Sequence, residues 1–336
     1  MFKISMSKYP LALLLSAGLL LTGCGGGEEA AGPDKPLRVF YASALDPGDI
    51  ADVMGLEKVP TKVGTLTDDS AVIAGLLRGS VDVGNVDMQA VFEAAGQGIP
   101  IKVIYVSKVT PEFVMVSRPE IDSLKDLGGK RVGYHAKGSQ TEVFVQQLIK
   151  EKAPEVYDDV NFVGLEESPR RAQALVGNKL DATSLEPIDF AQLQKEGEFN
   201  LLGSWKDLPG ESQDAIGNVW ITTEEIYEKN ESRLSDLVVA LQAGYDDFYE
   251  DEQKWLSIGE AELPDIDHSL MPDVYAAYKQ IGLYPVKGQS PLTEEIFENS
   301  EQFYREYGGS WEEPIGKDVV AFDLVDAAVE GSDGGN

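Results

Sequence analysis

The 336-residue chain has one cysteine, Cys24, and two histidines, His135 and His268. An internal disulfide, a thiolate zinc cluster and a Cys-x-x-Cys redox pair are thereby excluded, and a metal site is not expected. Positive charge is also scarce, since 28 Lys and Arg stand against 58 Asp and Glu for a formal charge of −30. Such a surface repels polyanions, which excludes nucleic acid as a partner. There is no Gly-x-Ser-x-Gly elbow, no Gly-Lys-Ser/Thr phosphate loop and no pair of metal ligands, so nothing points to catalysis or to a cofactor. What the chain does have, at 43% apolar and 26% charged, is enough material for two cores of ordinary domain size.

The lone cysteine is explained by its position. Lys3 and Lys8 precede a short apolar run from Leu11 to Leu21, and Leu21-Thr22-Gly23-Cys24 closes it, as in a secretory signal over residues 1–23. The run is about half the roughly 20 residues that a spanning helix requires. Its ending resembles the bacterial lipobox, which implies lipidation of Cys24 with two fatty chains, a stable anchor where one chain alone is marginal. Residues 24–36, rich in Gly, Glu, Ala and Pro, read as a flexible tether to the membrane. Removing Lys3 and Lys8 makes the mature charge two units more negative, at −32.

After Pro36, short apolar runs alternate with longer helical patterns, the mark of strand-helix-strand units and an α/β fold with parallel-type sheets. Leu37 to Ala42, Val81 to Gly84 and Ile101 to Val106 read as strands, and Val72, Ile73, Leu76 and Leu77 form the apolar face of a helix opened by Thr67-Asp68-Asp69-Ser70. The pattern restarts at Arg131 to Tyr134, followed by Ser139-x-x-Glu142 at capping-box spacing and by the strand Val160 to Val163. The halves also rhyme: Leu77-x-Gly79-x-Val81-Asp82 is echoed by Leu175-x-Gly177-x-x-Leu180-Asp181. Two extended stretches, Glu112 to Ser117 and Ile216 to Thr222, read as crossings between two lobes. Lobe 1 is expected over 37–111 and 217–325, lobe 2 over 112–216, and a flexible tail over 326–336.

This organisation resembles the two-lobe periplasmic solute-binding proteins (type II), specifically the family of taurine, alkanesulfonate, nitrate, riboflavin and thiamine-precursor binders. The resemblance is carried by Ala71 to Asn85, Ala94-Ala-Gly-Gln-Gly-Ile-Pro100, Ser123 to Gly133 and Leu180-Asp-Ala-Thr-Ser-Leu-Glu-Pro187, over about 37–310. It departs at Asp46-Pro-Gly-Asp-Ile-Ala-Asp-Val-Met-Gly-Leu56, where the family usually has an aromatic-rich helix. The resemblance implies a monomeric binder outside the cytoplasmic membrane that closes on a solute and delivers it to an ABC permease with its cytoplasmic ATPase. Relatives on this fold include thiamine-pyrimidine synthases, which carry a Cys-rich motif and an active-site His. Here the only Cys is Cys24, which disfavours that enzyme.

Ligands of open α/β sheets lie beyond the carboxyl ends of the strands. That rule selects Ser43, Thr67, Asn85 and Asp87 in lobe 1, His135, Ser139, Gln140, Thr141 and Glu186 in lobe 2, and Trp220 in the second crossing as an aromatic wall. Each also suits a plainer role. Thr67 and Ser139 suit helix caps, Asn85 and Asp87 a turn, Glu186 its own helix dipole, and Trp220 the core. His135 has no partner for a metal. Because no Arg occurs in these loops and Lys137 is the nearest cation, a nitrogen-bearing, vitamin-like heterocycle such as riboflavin or a pyrimidine is expected. A sulfonate, taurine or nitrate is the alternative, held by backbone donors near Ser139.

Overall fold

The computed structural model describes residues 35–333, apart from Gly138, residues 209–214 and Gly308. The expected signal, the lipidated Cys24 and nearly all of the tether lie outside the described residues. The chain then forms β1 (Leu37–Tyr41), α1 (Ile50–Leu56), β2 (Thr61–Thr65), α2 (Asp69–Leu77), β3 (Val83–Asp87), α3 (Met88–Gly96) and β4 (Ile101–Lys108). It continues through β5 (Val114–Ser117), β6 (Arg131–Tyr134), α4 (Gln140–Lys152), β7 (Asn161–Gly164), α5 (Ser168–Val176), β8 (Ala182–Leu185), α6 (Pro187–Glu196) and β9 (Asn200–Ser204). The final part comprises β10 (Asn218–Thr223), α7 (Glu224–Glu250), α8 (Glu252–Glu262), α9 (Met271–Ile281), α10 (Glu294–Tyr307) and α11 (Phe322–Asp333).

Two five-stranded sheets result, ordered β2-β1-β3-β10-β4 and β7-β6-β8-β5-β9. Each has the same plan: second, first and third strands run parallel, and the strand arriving from the other half is inserted antiparallel before the fourth. The sheets are thus mixed rather than parallel throughout, because a strand that enters by crossing from the other lobe approaches from the opposite end. The chain passes between lobes twice, between β4 and β5 and between β9 and β10.

The internal rhyme has a structural counterpart with a corrected register. Arg38 binds Asp82 through its backbone N–H at 2.8 Å, Nε at 3.0 Å and Nη2 at 2.7 Å. Arg131 binds Asp181 through the same three groups at 2.9, 2.9 and 3.0 Å. The left-handed residue that ends the preceding helix is Gly79 (φ 70°) in one lobe and Asn178 (φ 54°) in the other. Gly79 therefore corresponds to Asn178, not to Gly177, and no residue is inserted. Asn substitutes for Gly there because its short polar side chain tolerates the left-handed region.

In lobe 1, α1 packs closely on α7 because Gly55 and Gly244 meet: a Cβ on Gly244 would lie 2.4 Å from the Gly55 nitrogen. The tail expected from residue 326 is instead part of α11, whose Leu324, Val325 and Ala328 are buried at helical spacing. Among the described residues no helix is long and apolar enough to cross a membrane.

Candidate functional site

The carboxyl ends of the parallel strands of both sheets open onto one cleft of about 730 Å³. The loop after β1 carries Ser43 and Asp46, and the end of β3 carries Asn85 and Asp87. Asp68 caps α2 by accepting from the Ala71 N–H at 2.8 Å, which leaves Thr67 and Asp69 on the cleft wall. From lobe 2, Ser139 caps α4, accepting from the Glu142 N–H, while the Thr141 hydroxyl accepts from the His135 N–H at 2.8 Å. Glu186 begins α6, its backbone N–H donating to the Ser168 hydroxyl at 3.0 Å.

At the floor lies Lys108, the last residue of β4. Its ammonium is 2.7 Å from Glu112, 3.5 Å from Asp49 and 3.9 Å from Asp46. The loop that brings Asp46 and Asp49 there is held by reciprocal bonds, Gly48 N–H to Asp46 at 2.6 Å and Asp46 N–H to Asp49 at 3.1 Å. Across the cleft, Arg171 donates from Nε to the Ser184 carbonyl at 2.9 Å and from Nη1 to the Leu165 carbonyl at 3.2 Å. Eight carboxylates and these two fixed cations line the space. The acids are correspondingly hard to ionise. Burial raises Asp49 and Asp87 to about 6, with Lys108 opposing the rise in each. Burial also drives Asp46, Asp69 and Glu186 well above the ordinary range, reinforced by Asp49, Asp87 and Asp46 respectively. His135 is pushed down by burial and by Arg171.

Of the residues selected from sequence, Ser43, Thr67, Asn85, Asp87, His135, Ser139, Gln140, Thr141 and Glu186 all border this cleft. Trp220 does not. It is wholly buried, and its indole N–H donates to the Tyr245 hydroxyl at 3.1 Å, which donates in turn to Asp52 at 2.6 Å. The physical reason is that α7 covers the face of β10 from which Trp220 projects, so the ring packs edge-on behind Tyr41 at 5.4 Å and Tyr41 takes the wall position. The expectation of a cleft without Arg is also corrected, because Arg171 borders it and Lys137 does not.

Sequence reasoning missed Asp46, Asp49, Lys108, Glu112 and Asn218. The Asp46-Pro-Gly-Asp49 turn was a usable signal, since it opens a stretch with three acids where the resembled family has an aromatic-rich helix. Lys108 gave none beyond a cation at the end of an otherwise apolar strand. Among the described residues, no cluster of His, Cys, Asp and Glu is arranged to hold a metal ion.

No curated protein matches the chain. Its fold is similar to solved structures of low identity. The periplasmic aliphatic sulphonate binding protein SsuA of Escherichia coli has a TM-score of 0.63 at 18% identity, over 80% of this chain and 85% of that one. The putative periplasmic sulfonate-binding protein of Methylobacillus flagellatus KT has a TM-score of 0.67 at 16% identity, over 88% and 94%. The periplasmic nitrate-binding protein NrtA of Synechocystis PCC 6803 has a TM-score of 0.61 at 12% identity, over 90% and 89%. At these identities the likeness is one of fold, the two-lobe fold that the strand order describes. Residues 61–254 match the family model described as NMT1/THI5 like, a stretch from β2 into α8 that spans more than half of the sequence. The chain belongs to the NMT1/THI5-like family.

Proposed function

We propose that the protein is an extracytoplasmic solute-binding lipoprotein of an ABC importer, anchored through Cys24, which captures a small solute between its lobes and delivers it to a membrane permease. The observation that carries this reading is the cleft itself. Two sheets of identical plan, joined by two crossings, place helix N-termini and strand ends from both lobes around one space. Such a space is complete only when the lobes approach, so binding and closure are linked. Lobe 1 is read as 37–111 with 217–325, and lobe 2 as 112–216. The printed names of the structural neighbours favour a sulfonate or nitrate ligand over a vitamin-like heterocycle, which has also lost its proposed stacking partner in Trp220.

The reading is tested by screening the purified chain against small metabolites by thermal shift and recovering the ligand by mass spectrometry. A binder returns the ligand unchanged, contracts in solution scattering on saturation, and loses its membrane association when Cys24→Ala is made. Conversion of any bound compound would replace the transport reading by an enzymatic one.

A further inference from the structure

Resting on that solute-binding reading, but against the anion that the neighbours' names suggest, we propose that the cleft selects a small organic cation whose ammonium or guanidinium N–H groups bridge Asp46 of lobe 1 and Glu112 of the first crossing to Glu186 of lobe 2. Eight carboxyl groups against two fixed cations leave the space short of positive charge, and both cations are already engaged. Lys108 is held by Glu112 and Asp49, and Arg171 spends two donors on backbone carbonyls. A sulfonate or nitrate entering here would meet like charges in a partly desolvated site, where repulsion is weakly screened. Asp46 and Glu112, which face Glu186 across the cleft, both raise the cost of ionising it. A cation between them removes that repulsion only when the lobes are together, so its charge would itself favour closure.

A second, independent feature points to a ligand. Asn85 and Tyr41 both border the cleft, are 3% and 2% exposed, and leave the Asn85 amide nitrogen and the Tyr41 hydroxyl without a hydrogen-bond partner. Buried polar groups left unpaired are costly, so these two await a bound molecule. An amide nitrogen donates, so the cation also carries an acceptor such as a hydroxyl or carbonyl oxygen, or an unprotonated nitrogen. Tyr41 and Phe113 are too few to form an aromatic cage for a quaternary ammonium, which favours a cation with N–H donors.

The experiment uses the full chain purified in detergent, with ethanolamine, agmatine and putrescine as cationic probes and ethanesulfonate and nitrate as anionic ones. Thermal shift and titration calorimetry at pH of about 7.5 are the readouts. The expected result is stabilisation by at least one cationic probe and by neither anion. Glu186→Gln, the same size without the charge, then weakens that probe at least about tenfold. As an arm that needs no variant, raising sodium chloride to about 0.2 M weakens the same probe. Stabilisation by an anion but no cation overturns the proposal and leaves the solute-binding reading standing, as does a cation whose affinity ignores both Glu186→Gln and salt. Failure of these probes together with every compound of the wider screen overturns the solute-binding reading itself.

Discussion

Lys108 donates to Glu112 across 2.7 Å in a pair that is almost sealed from water, the two side chains being 6% and 7% exposed. Breaking a buried pair by removing one partner leaves an uncompensated charge, which is worse than losing the attraction alone. Lys108→Met is therefore expected to destabilise the unliganded protein by about 3 kcal/mol near neutral pH. Urea unfolding checks this. A loss below about 0.5 kcal/mol would mean that the carboxylates around Lys108 do not depend on it.

The pH dependence has a definite sign. Asp49 and Asp87 are raised to about 6 and Asp52 to about 7, and Asp46, Asp69 and Glu186 are raised as well. In each case the native state binds a proton that the unfolded chain does not, across the window between the ordinary carboxylate value and the raised one. Stability therefore increases as pH falls from about 7.5 towards about 5. Salt-bridged acids with lowered values, such as Asp181 and Asp267, oppose this only at lower pH, where they begin to lose their charge. The melting temperature of the unliganded protein is expected to peak near pH 5, and a monotonic fall below pH 7 would contradict the arrangement.

The repeated Arg–Asp clamp differs in burial between lobes. Asp82 and Arg38 are 3% and 12% exposed at the side chain, whereas Arg131 is 42% exposed. Asp82→Ala is expected to cost about 3 kcal/mol and Asp181→Ala about 1 kcal/mol, because exposed charges lose less when a partner is removed. Thermal unfolding of the two variants side by side decides the order.

The paired helix ends give a conformational test. Gly79→Ala and Asn178→Ala should each cost about 1 kcal/mol, since an L side chain without a local hydrogen bond resists positive φ. Asn178→Gly should be near neutral. If Gly79→Ala were silent, the left-handed turn could not be what ends α2.

Much of the architecture was legible in the letters because apolar runs and capping residues are local signals. β1, β4, β6 and the start of α4 follow directly from them. β2 and β9 escaped notice because edge strands such as Thr61-Lys-Val-Gly-Thr65 have little to bury and so show little pattern. Nine of the ten selected site residues border the cleft, because strand ends are recognisable without knowing what packs behind them. Trp220 does not, since whether a face of a crossing strand is open depends on α7, which follows it in sequence. The acids around Lys108 come together only through the β1 loop and the first crossing, a meeting that no spacing in the sequence announces.

The aromatic side chains form a continuous path between the halves. Phe144 of α4 stacks on Trp205 at 5.6 Å, Trp205 meets Phe303 of α10 at 5.6 Å, and Phe303 meets Tyr304, which reaches Phe92 of α3 at 6.2 Å. The two lobes thus share most of one interior across the crossings, beside a smaller separate cluster of Val116, Leu175, Leu180, Leu185 and Leu193 within the second lobe. Calorimetric and van't Hoff enthalpies should consequently agree, with heat absorbed in one peak. The crossings therefore do more than join the lobes: the packing that runs across them is expected to make the protein melt as a single cooperative unit.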